Sequence, residues 1–538
     1  MFESVGQMDA ATAMIDLAIS ELDRNPTQLA LAFTDRARVA IRSRDLASAE
    51  SSLSSARQAT TSVRDAILRE TLSASIDAAE AVLRIRTRPH EAIATLDHAI
   101  AFFSKANLRH LLPDAYLQRA RSYRAAGDEK AAIADYDAAL HEVDVQRNTI
   151  SSDDLRLRFL DTATQIIDDS IELHLLNGSV VEALAIADRT RELYESSPAS
   201  PSSVHEVRLA PGTAVIAYAV LPHAIDIFCV SGGQTTVQKV AIERDGLGER
   251  IAQFDDSIRR RAPIDQIQRE ATSLFKLLVA PMHQQLSGVH EIVIVPDRQL
   301  FAVPFAALYD DVRSQYLAEE FTIRFAPSAT AVHRETTNDA LLPALVVADP
   351  ATPRWPRLPV SLREGERIAA AYGATMLIGD LATPKRFVEA ATGSALIHYA
   401  GHADSDAGGS YGALLLAAGD ADSGMLAASE IAALHLSKHP LVVLAACGTF
   451  RGNSIHVGGM SSLPRAFLLA GARAVAGTLW EVDDDVAASL FLTFHEHLRT
   501  GESPARAVRA AQVEMIHASD PRLRHPATWA PIELLSNY

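Results

Sequence analysis

Residues 395–403 of this chain read ALIHYAGHA, and residues 441–449 read LVVLAACGT. Each stretch opens with an apolar run of the length of a buried strand and closes in small residues that form a turn. One reactive side chain stands at each turn, His402 in the first and Cys447 in the second. Because the carboxyl ends of parallel strands meet at one edge of an open sheet, we expect these two side chains to lie together.

A histidine beside a cysteine can act as a general base and a thiol nucleophile. The chain has two cysteines, and Cys447 is the one at a strand end, whereas Cys229 falls within the apolar run 225–230. The alternative is structural: His402 would be a turn residue and Cys447 a buried thiol, since free cysteine is among the most buried residue types. The spacing of the two residues leaves both interpretations open.

Segments typical of strands and of helices alternate around these two stretches. The runs with strand patterning are 291–295, 345–348, 396–400, 441–446 and 473–479. Helical patterning lies between them or after them, at 362–372, 384–391, 428–434, 461–470 and 485–499. Such alternation predicts a largely parallel sheet covered by helices on both faces. Three earlier β-rich runs, 214–219, 225–230 and 235–240, predict a meander.

The first 195 residues are of a different kind, rich in Ala, Leu and Arg with helical periodicity. The clearest unit is 115–140, where Gly127 and Asp128 separate two helical segments, and glycine commonly ends a helix in the left-handed conformation. Weaker copies turn near Asp45, Pro89 and Asn177, at a spacing looser than the ~34 residues of an ideal tetratricopeptide repeat. We therefore predict a degenerate helical-repeat domain, with an unrelated helical bundle as the alternative.

Composition restricts the classes of partner. The chain has 538 residues, a hydrophobic fraction of 48% and a formal net charge of −17. An acidic chain without a local basic face repels phosphate backbones, so we expect no direct nucleic-acid ligand. No apolar run reaches the length of a membrane span, and the start, MFESVGQ, lacks the basic and apolar regions of a signal peptide. We therefore expect no membrane partner. Two cysteines form no disulfide framework, so we expect a cytoplasmic location.

Several ordered blocks carry a resemblance to a known family. They are IVIVPDRQLFAVPFAALYD at 292–310, YLAEEFTIRFAPSAT at 316–330, HYAGHA at 398–403, LVVLAACGTFRG at 441–452, GGMSSLPRAFLLAGARAVAGTLWEVDDD at 458–485 and HPATWAPIEL at 525–534. Together they resemble the CHAT family of caspase- and separase-like cysteine proteases, over roughly residues 205–538. The implied fold class is α + α/β, a helical-repeat domain resembling tetratricopeptide repeats followed by a caspase-like sandwich with a largely parallel sheet.

The resemblance also implies a domain order. It gives a repeat domain at 1–195, a linker at 196–204, a degenerate pseudo-caspase half at 205–341 and a catalytic half at 342–538. In that half His402 and Cys447 form the dyad, and the backbone N–H groups of Ala403 and Cys447 form the oxyanion hole. Family members often carry glycine where this chain has Ala403. His398 lies deeper on the same strand and receives a supporting or core role. No nucleotide-binding or metal-binding motif occurs, so we expect no cofactor and no metal.

The same resemblance implies a carboxylate that recognises the substrate. Asp484 matches the aspartate after "LW" that binds the substrate arginine in separase, and Asp483 precedes it. A carboxylate can accept a guanidinium through two hydrogen bonds, which favours arginine over lysine. The alternative is that residues 483–485 cap the following helix, because acidic residues are favoured at helix N-termini.

The resemblance therefore implies a cysteine endopeptidase that cleaves a protein substrate after a basic residue, with arginine preferred. Family members of this architecture resemble regulated proteases of bacterial defence and cell death, some encoded beside gasdermin-like proteins. The implied partners are a protein substrate, such as a gasdermin-like neighbour, and a regulatory protein bound through the repeats. Two alternatives stay open: a catalytically inert interaction scaffold, and a peptide ligase that uses the same dyad.

Overall fold

The computed structural model describes residues 8–22, 25–147, 153–192, 209–332, 341–352, 354–404, 412–419, 423–446, 448–450 and 462–536. The chain divides into two compact units, Met1–Ile186 and Ala187–Tyr538. In the described part, no helix is both long and apolar enough to cross a membrane.

The first unit consists of helices. They are α1 (Met8–Glu21), α2 (Pro26–Arg42), α3 (Leu46–Thr61), α4 (Ala66–Arg84), α5 (Pro89–Lys105), α6 (Leu112–Ala126), α7 (Glu129–Arg147) and α8 (Asp153–Leu176), with α9 (Val180–Glu192) leading into the second unit. Helices adjacent in sequence pack against each other, as in α2 with α3 and α6 with α7.

The turns of this unit have local causes. Gly127 ends α6 with φ +82°, in the left-handed region that glycine adopts without strain. Asp45 begins α3 by accepting a hydrogen bond from Ser48 N at 3.1 Å, and Pro89 opens α5 at a position where its missing N–H is not needed. The predicted helical-repeat region, with its turns at these residues, is therefore confirmed.

The second unit is built around a sheet. Its strands are β1 (Thr213–Val220), β2 (Ala224–Ser231), β3 (Gln234–Ala241), β4 (Glu291–Val295), β5 (Tyr309–Asp310), β6 (Gln315–Tyr316), β7 (Thr322–Phe325), β8 (Ala344–Pro350), β9 (Thr375–Gly379), β10 (Leu396–Ala400), β11 (Ala403–Asp404), β12 (Ala413–Leu415), β13 (Met425–Ala427), β14 (Leu441–Ala445), β15 (Ala474–Thr478) and β16 (Ile532–Ser536).

Helices cover this sheet. They are α10 (Arg244–Arg259), α11 (Ile264–Leu278), α12 (Leu317–Glu320), α13 (Pro359–Tyr372), α14 (Pro384–Ala391), α15 (Ala428–Ala432), α16 (Leu463–Leu469), α17 (Asp484–Arg499), α18 (Pro504–Ile516), α19 (Pro521–Arg524) and α20 (Pro526–Trp529). The central strands are apolar on both faces because helices bury both, as in parallel sheets generally.

Eleven of the described strands form one sheet, in the order β3-β2-β1-β4-β7-β16-β15-β14-β10-β8-β9. The strands β1, β4, β7 and β16 run parallel to one another, and so do β15, β14, β10, β8 and β9. The two blocks meet where β16 pairs antiparallel with β15. The predicted largely parallel sheet is confirmed, and so is the predicted meander, which is β1 to β3.

The second cysteine lies in the core of this sheet. Cys229 is on β2 and is 1% exposed. Burial raises the pKa of its thiol to about 11, so the thiolate is scarce at neutral pH. The interpretation of Cys229 as a strand core residue is confirmed.

Candidate active site

The turn that carries His402 is fixed by a buried tyrosine. Tyr399 lies on β10, and its hydroxyl is 2.6 Å from the carbonyl oxygen of His402 and 2.7 Å from that of Leu415. The hydroxyl has a single proton, and the two carbonyl oxygens share it as acceptors. Gly401 leaves the room for this arrangement, because a Cβ at position 401 would lie 2.7 Å from the Tyr399 hydroxyl. In the sequence Tyr-Ala-Gly-His, the contact of Tyr399 with the turn at Gly401 therefore fixes the position of the His402 backbone.

The imidazole of His402 is oriented by a backbone carbonyl. Its Nε2 lies 2.9 Å from Pro356 O. A carbonyl oxygen only accepts hydrogen bonds, so Nε2 carries the proton and the neutral ring keeps Nδ1 free as a proton acceptor. The indole of Trp355 covers the ring, with centroids 5.2 Å apart and planes tilted by 34°. His402 is thus held as the tautomer that a general base requires.

Asp349 binds the two residues that follow Trp355 and Pro356 in the sequence. Its carboxylate accepts hydrogen bonds from Arg357 Nε at 2.9 Å and from Leu358 N at 2.7 Å. Burial raises the pKa of this carboxyl, but the hydrogen bonds from Arg357 and Leu358 outweigh burial and leave it below its usual value. Asp349 has φ +45° at a register shift in the β8–β9 pairing, and such strain at a non-glycine residue commonly marks functional sites.

Sequence reasoning missed Asp349, Trp355 and Pro356. The available signal was an aspartate directly after the predicted strand 345–348. The bond from His402 to Pro356 uses a main-chain oxygen, which leaves no side-chain signature in the sequence.

The predicted nucleophile, Cys447, lies outside the described residues, and with it the predicted oxyanion donor at its backbone N–H. The residues on either side are tied to the end of β15. Thr478 Oγ1 donates to Ala446 O at 3.0 Å, and Thr449 Oγ1 accepts from Thr478 N at 3.2 Å. Phe450 N donates to Thr478 O at 3.0 Å. These bonds fix the described ends of the turn beside the carboxyl end of β15.

The other predicted oxyanion donor, Ala403, lies on β11, opposite Leu414 of β12. Leu415 N donates to His402 O at 3.0 Å, so Ala403 and Leu414 form a pair without mutual hydrogen bonds. In such a pair the N–H groups point away from the partner strand. The N–H of Ala403 is therefore directed to the side of β11 opposite β12.

The two predicted recognition carboxylates follow β15. Trp480 anchors this segment, since its indole is buried and donates to Ala527 O at 3.0 Å. Asp483 stands at the N-cap of α17 without capping it through its side chain, and instead accepts from Arg261 Nη2 at 2.8 Å. Asp484 is the first helical residue and is exposed. A position at a helix start is compatible with both predicted roles, recognition and helix stabilisation.

His398 occupies a buried polar cluster beneath the rim. Its Nδ1 lies 3.1 Å from His495 Nε2 of α17, and its Nε2 lies 3.1 Å from Glu364 Oε1 of α13. Burial holds the pKa of His495 well below its usual value, and His398 lowers it further. These contacts join β10 to two covering helices, which is a core role. Among the described residues, no three His, Cys, Asp or Glu side chains could hold a metal ion together.

Comparison with known proteins places these features in a family. Residues 268–537 match the sequence model of the CHAT domain. The chain belongs to the CHAT domain family. Mouse tetratricopeptide repeat protein 28 is 25% identical over 323 residues, and the human protein is 24% identical over 324 residues. Each match covers 49% of this chain and 13% of the relative, so the chain spans a small part of their length.

A solved structure shares the fold of this CHAT protein. The separase–securin complex of Saccharomyces cerevisiae at 2.6 Å superposes with a TM-score of 0.50 and 11% sequence identity, covering 98% of this chain and 48% of that chain. The predictions of a CHAT domain and of a separase-like, caspase-type fold after helical repeats are confirmed. This fold is compatible with a cysteine protease and with a scaffold.

Gly401→Ala tests the packing that positions His402. The added methyl group would press on the Tyr399 ring and hydroxyl, so we expect the free energy of unfolding to fall by about 1–3 kcal/mol. Chemical denaturation of both variants measures it, with Gly393→Ala as the control, because a Cβ at position 393 meets no atom within 4 Å. Equal stability of the two variants would contradict this account of the turn.

Proposed function

We propose that this CHAT protein is a cysteine endopeptidase in which His402 is the base and Cys447 the nucleophile. The hydrogen bond from His402 Nε2 to Pro356 O carries the proposal, because it leaves Nδ1 as the proton acceptor. Two strands support the pairing: β10 leads into His402, and its parallel neighbour β14 is followed by Ala446 and then Cys447. In this proposal residues 342–538 form the catalytic half and 205–341 the degenerate half.

The proposed reaction follows from these roles. Nδ1 of His402 takes the thiol proton of Cys447, and the thiolate attacks the substrate carbonyl carbon. The resulting oxyanion accepts hydrogen bonds from the N–H groups of Ala403 and Cys447. The imidazolium then protonates the leaving amine as the peptide C–N bond breaks, and water, deprotonated by His402, hydrolyses the thioester. The direction of the Ala403 N–H, away from β12, supports its part in this scheme.

Asp349 supports the position of the proposed base, because it binds Arg357 and Leu358 next to Pro356. Its buried carboxylate keeps a depressed pKa, and the charge of His402 contributes to that depression. The bidentate Arg357 keeps Asp349 ionised and in place.

We propose that Asp484 receives an arginine side chain before the scissile bond. It is exposed, and it follows β15, which neighbours β14. Asp483 is the poorer candidate for this role because Arg261 already pairs with it. Securin is the partner of separase in the solved complex, and by analogy we propose a protein as substrate or partner of this chain.

We further propose that the helical repeats bind a regulatory protein and that the substrate is a neighbouring protein of the gasdermin-like kind in a bacterial defence pathway. A repeat array offers an extended surface for such a partner. A cytoplasmic setting would keep Cys447 reduced. An inert scaffold is the second candidate, since the curated relatives are named for their repeats.

Cys447→Ala and His402→Ala are each expected to lower cleavage by about 10³-fold or more, because the two groups act as a unit. The measurement is incubation with a cellular proteome, followed by mass-spectrometric mapping of new N-termini. Cys229→Ala is the control and is expected to keep activity. Products joined to an added amine would indicate a ligase. An unmodified chain that yields no new termini would contradict the protease and favour the scaffold. An active Cys447→Ala variant would contradict the assignment of Cys447 as the nucleophile.

Asp484→Ala is expected to lower kcat/KM for a peptide with arginine before the scissile bond by about 10- to 100-fold, since a charge-assisted hydrogen-bonded pair is lost. A positional peptide library measures it. Asp485→Ala is the matched control, because Asp485 is an exposed acid in the same helical turn. A preference for aspartate, or an unchanged arginine preference in Asp484→Ala, would remove Asp484 from the recognition site.

Removal of the repeats tests their proposed role. A chain that begins at Val180 retains Asp188, whose carboxylate accepts from Thr330 N at 3.0 Å in the second unit. We expect this shortened chain to cleave a short arginine peptide but to lose control over, or delivery of, its protein substrate. Circular dichroism checks that it folds. Unchanged rate and regulation with the protein substrate would show that the repeats have neither role.

A further inference from the structure

Trp355 is a large apolar side chain left half in water beside the candidate base. It is 43% exposed, while its ring lies against the imidazole of His402. Tryptophan side chains contribute strongly to binding when a partner covers them, because they bring a large apolar surface with few rotatable bonds. Single exposed apolar residues are common on protein surfaces, but Trp355 is in contact with the candidate base.

The indole is also held in place. The next residue, Pro356, accepts the hydrogen bond of His402, and the two residues after that, Arg357 and Leu358, are bound by Asp349. The backbone that carries Trp355 is therefore fixed before any ligand arrives. Such preorganisation lowers the entropy cost of binding.

A second exposed apolar residue follows the neighbouring strand. Leu381 is 52% exposed in the turn after β9. Gly379, the last residue of β9 before this turn, accepts a hydrogen bond from Ala351 N at 3.2 Å. A Cβ at Gly379 would lie 3.8 Å from Arg357 Nη2, so this turn rests against the segment that carries Trp355. Two apolar side chains thus stand on adjoining parts of one rim.

The order of the strands assigns this apolar pair to one side of a bound peptide. Along the edge, β15 leads to Asp484, β14 to Cys447, β10 to His402, β8 to Trp355 and β9 to Leu381. The base protonates the leaving amine, which belongs to the residue after the scissile bond. A side chain stacked on that base lies next to this residue, on the side away from Asp484.

We propose that Trp355, extended by Leu381, forms the subsite for an apolar side chain directly after the scissile bond. This inference rests on the proposed endopeptidase function and adds to it the class of residue that follows the cleaved bond. The preferred substrate is then a peptide with arginine before the bond and leucine or phenylalanine after it.

The test uses the full-length chain and two peptides that share the arginine and differ after the bond, in leucine or glycine. The unmodified chain is expected to prefer the leucine peptide. Trp355→Ala is expected to lower kcat/KM for the leucine peptide by about 10-fold and for the glycine peptide by less than about 2-fold, as for loss of an apolar pocket wall. Val312→Ala, at an 88% exposed site on the turn between β5 and β6, is the control and is expected to leave both values unchanged.

A pH profile separates recognition from an effect on the base. Equal losses for both peptides with a shifted profile would overturn the inference, because Trp355 would then only position His402. Equal cleavage of the two peptides by the unmodified chain would also overturn the inference and leave the proposed function standing. Failure of the unmodified chain to cleave either peptide, or any protein of a proteome, would overturn both.

Discussion

The alignment of three parallel strands is the constraint on which the candidate site depends. Ala400 of β10 lies opposite Ala348 of β8 and Ala445 of β14. The next residues, Asp349, Gly401 and Ala446, therefore lie at one level along the carboxyl ends of the strands. A slip of one residue in any of these strands would turn its side chains to the opposite face and move its last residue out of this row. The pairing of these strands thus holds Asp349, Gly401 and Ala446 in one row, and His402 and Cys447 are the residues that follow Gly401 and Ala446 in the sequence.

Residues 205–341, the proposed degenerate half, contribute to the rim although the proposed dyad lies in residues 342–538. Arg324 of β7 donates to Glu291 Oε1 of β4 at 2.9 Å and to Ser536 Oγ of β16 at 3.2 Å, so these neighbouring strands are linked by side chains as well as by the sheet. His525 Nε2 donates to Ala262 O at 3.1 Å, next to Arg261, which reaches Asp483. Residues 205–341 therefore support the rim and place the positive charge of Arg261 beside the candidate recognition carboxylates.

The sequence predicted the strands with continuous apolar runs best. The predicted and observed bounds agree for Glu291–Val295 and Leu396–Ala400, where burial on both faces requires mostly apolar side chains. It missed β7, β9 and β16, which are short and mix polar with apolar residues. Glu533 of β16, for example, is buried, and burial raises the pKa of its carboxyl well above the usual value. The candidate site also has parts that the sequence predicts and parts that it does not. His402 has a local signature, whereas the Arg261–Asp483 pair joins residues 222 positions apart and needs the folded chain.

The most direct measurement of the central claim is labelling with a peptide acyloxymethyl ketone that carries arginine at the reacting position. Such a probe alkylates a thiolate only when a neighbouring base and a bound peptide bring it into reaction. Mass spectrometry of the labelled chain is expected to place the adduct on Cys447, and His402→Ala is expected to abolish labelling. An adduct on Cys229, or equal labelling of Cys447 without His402, would contradict the account.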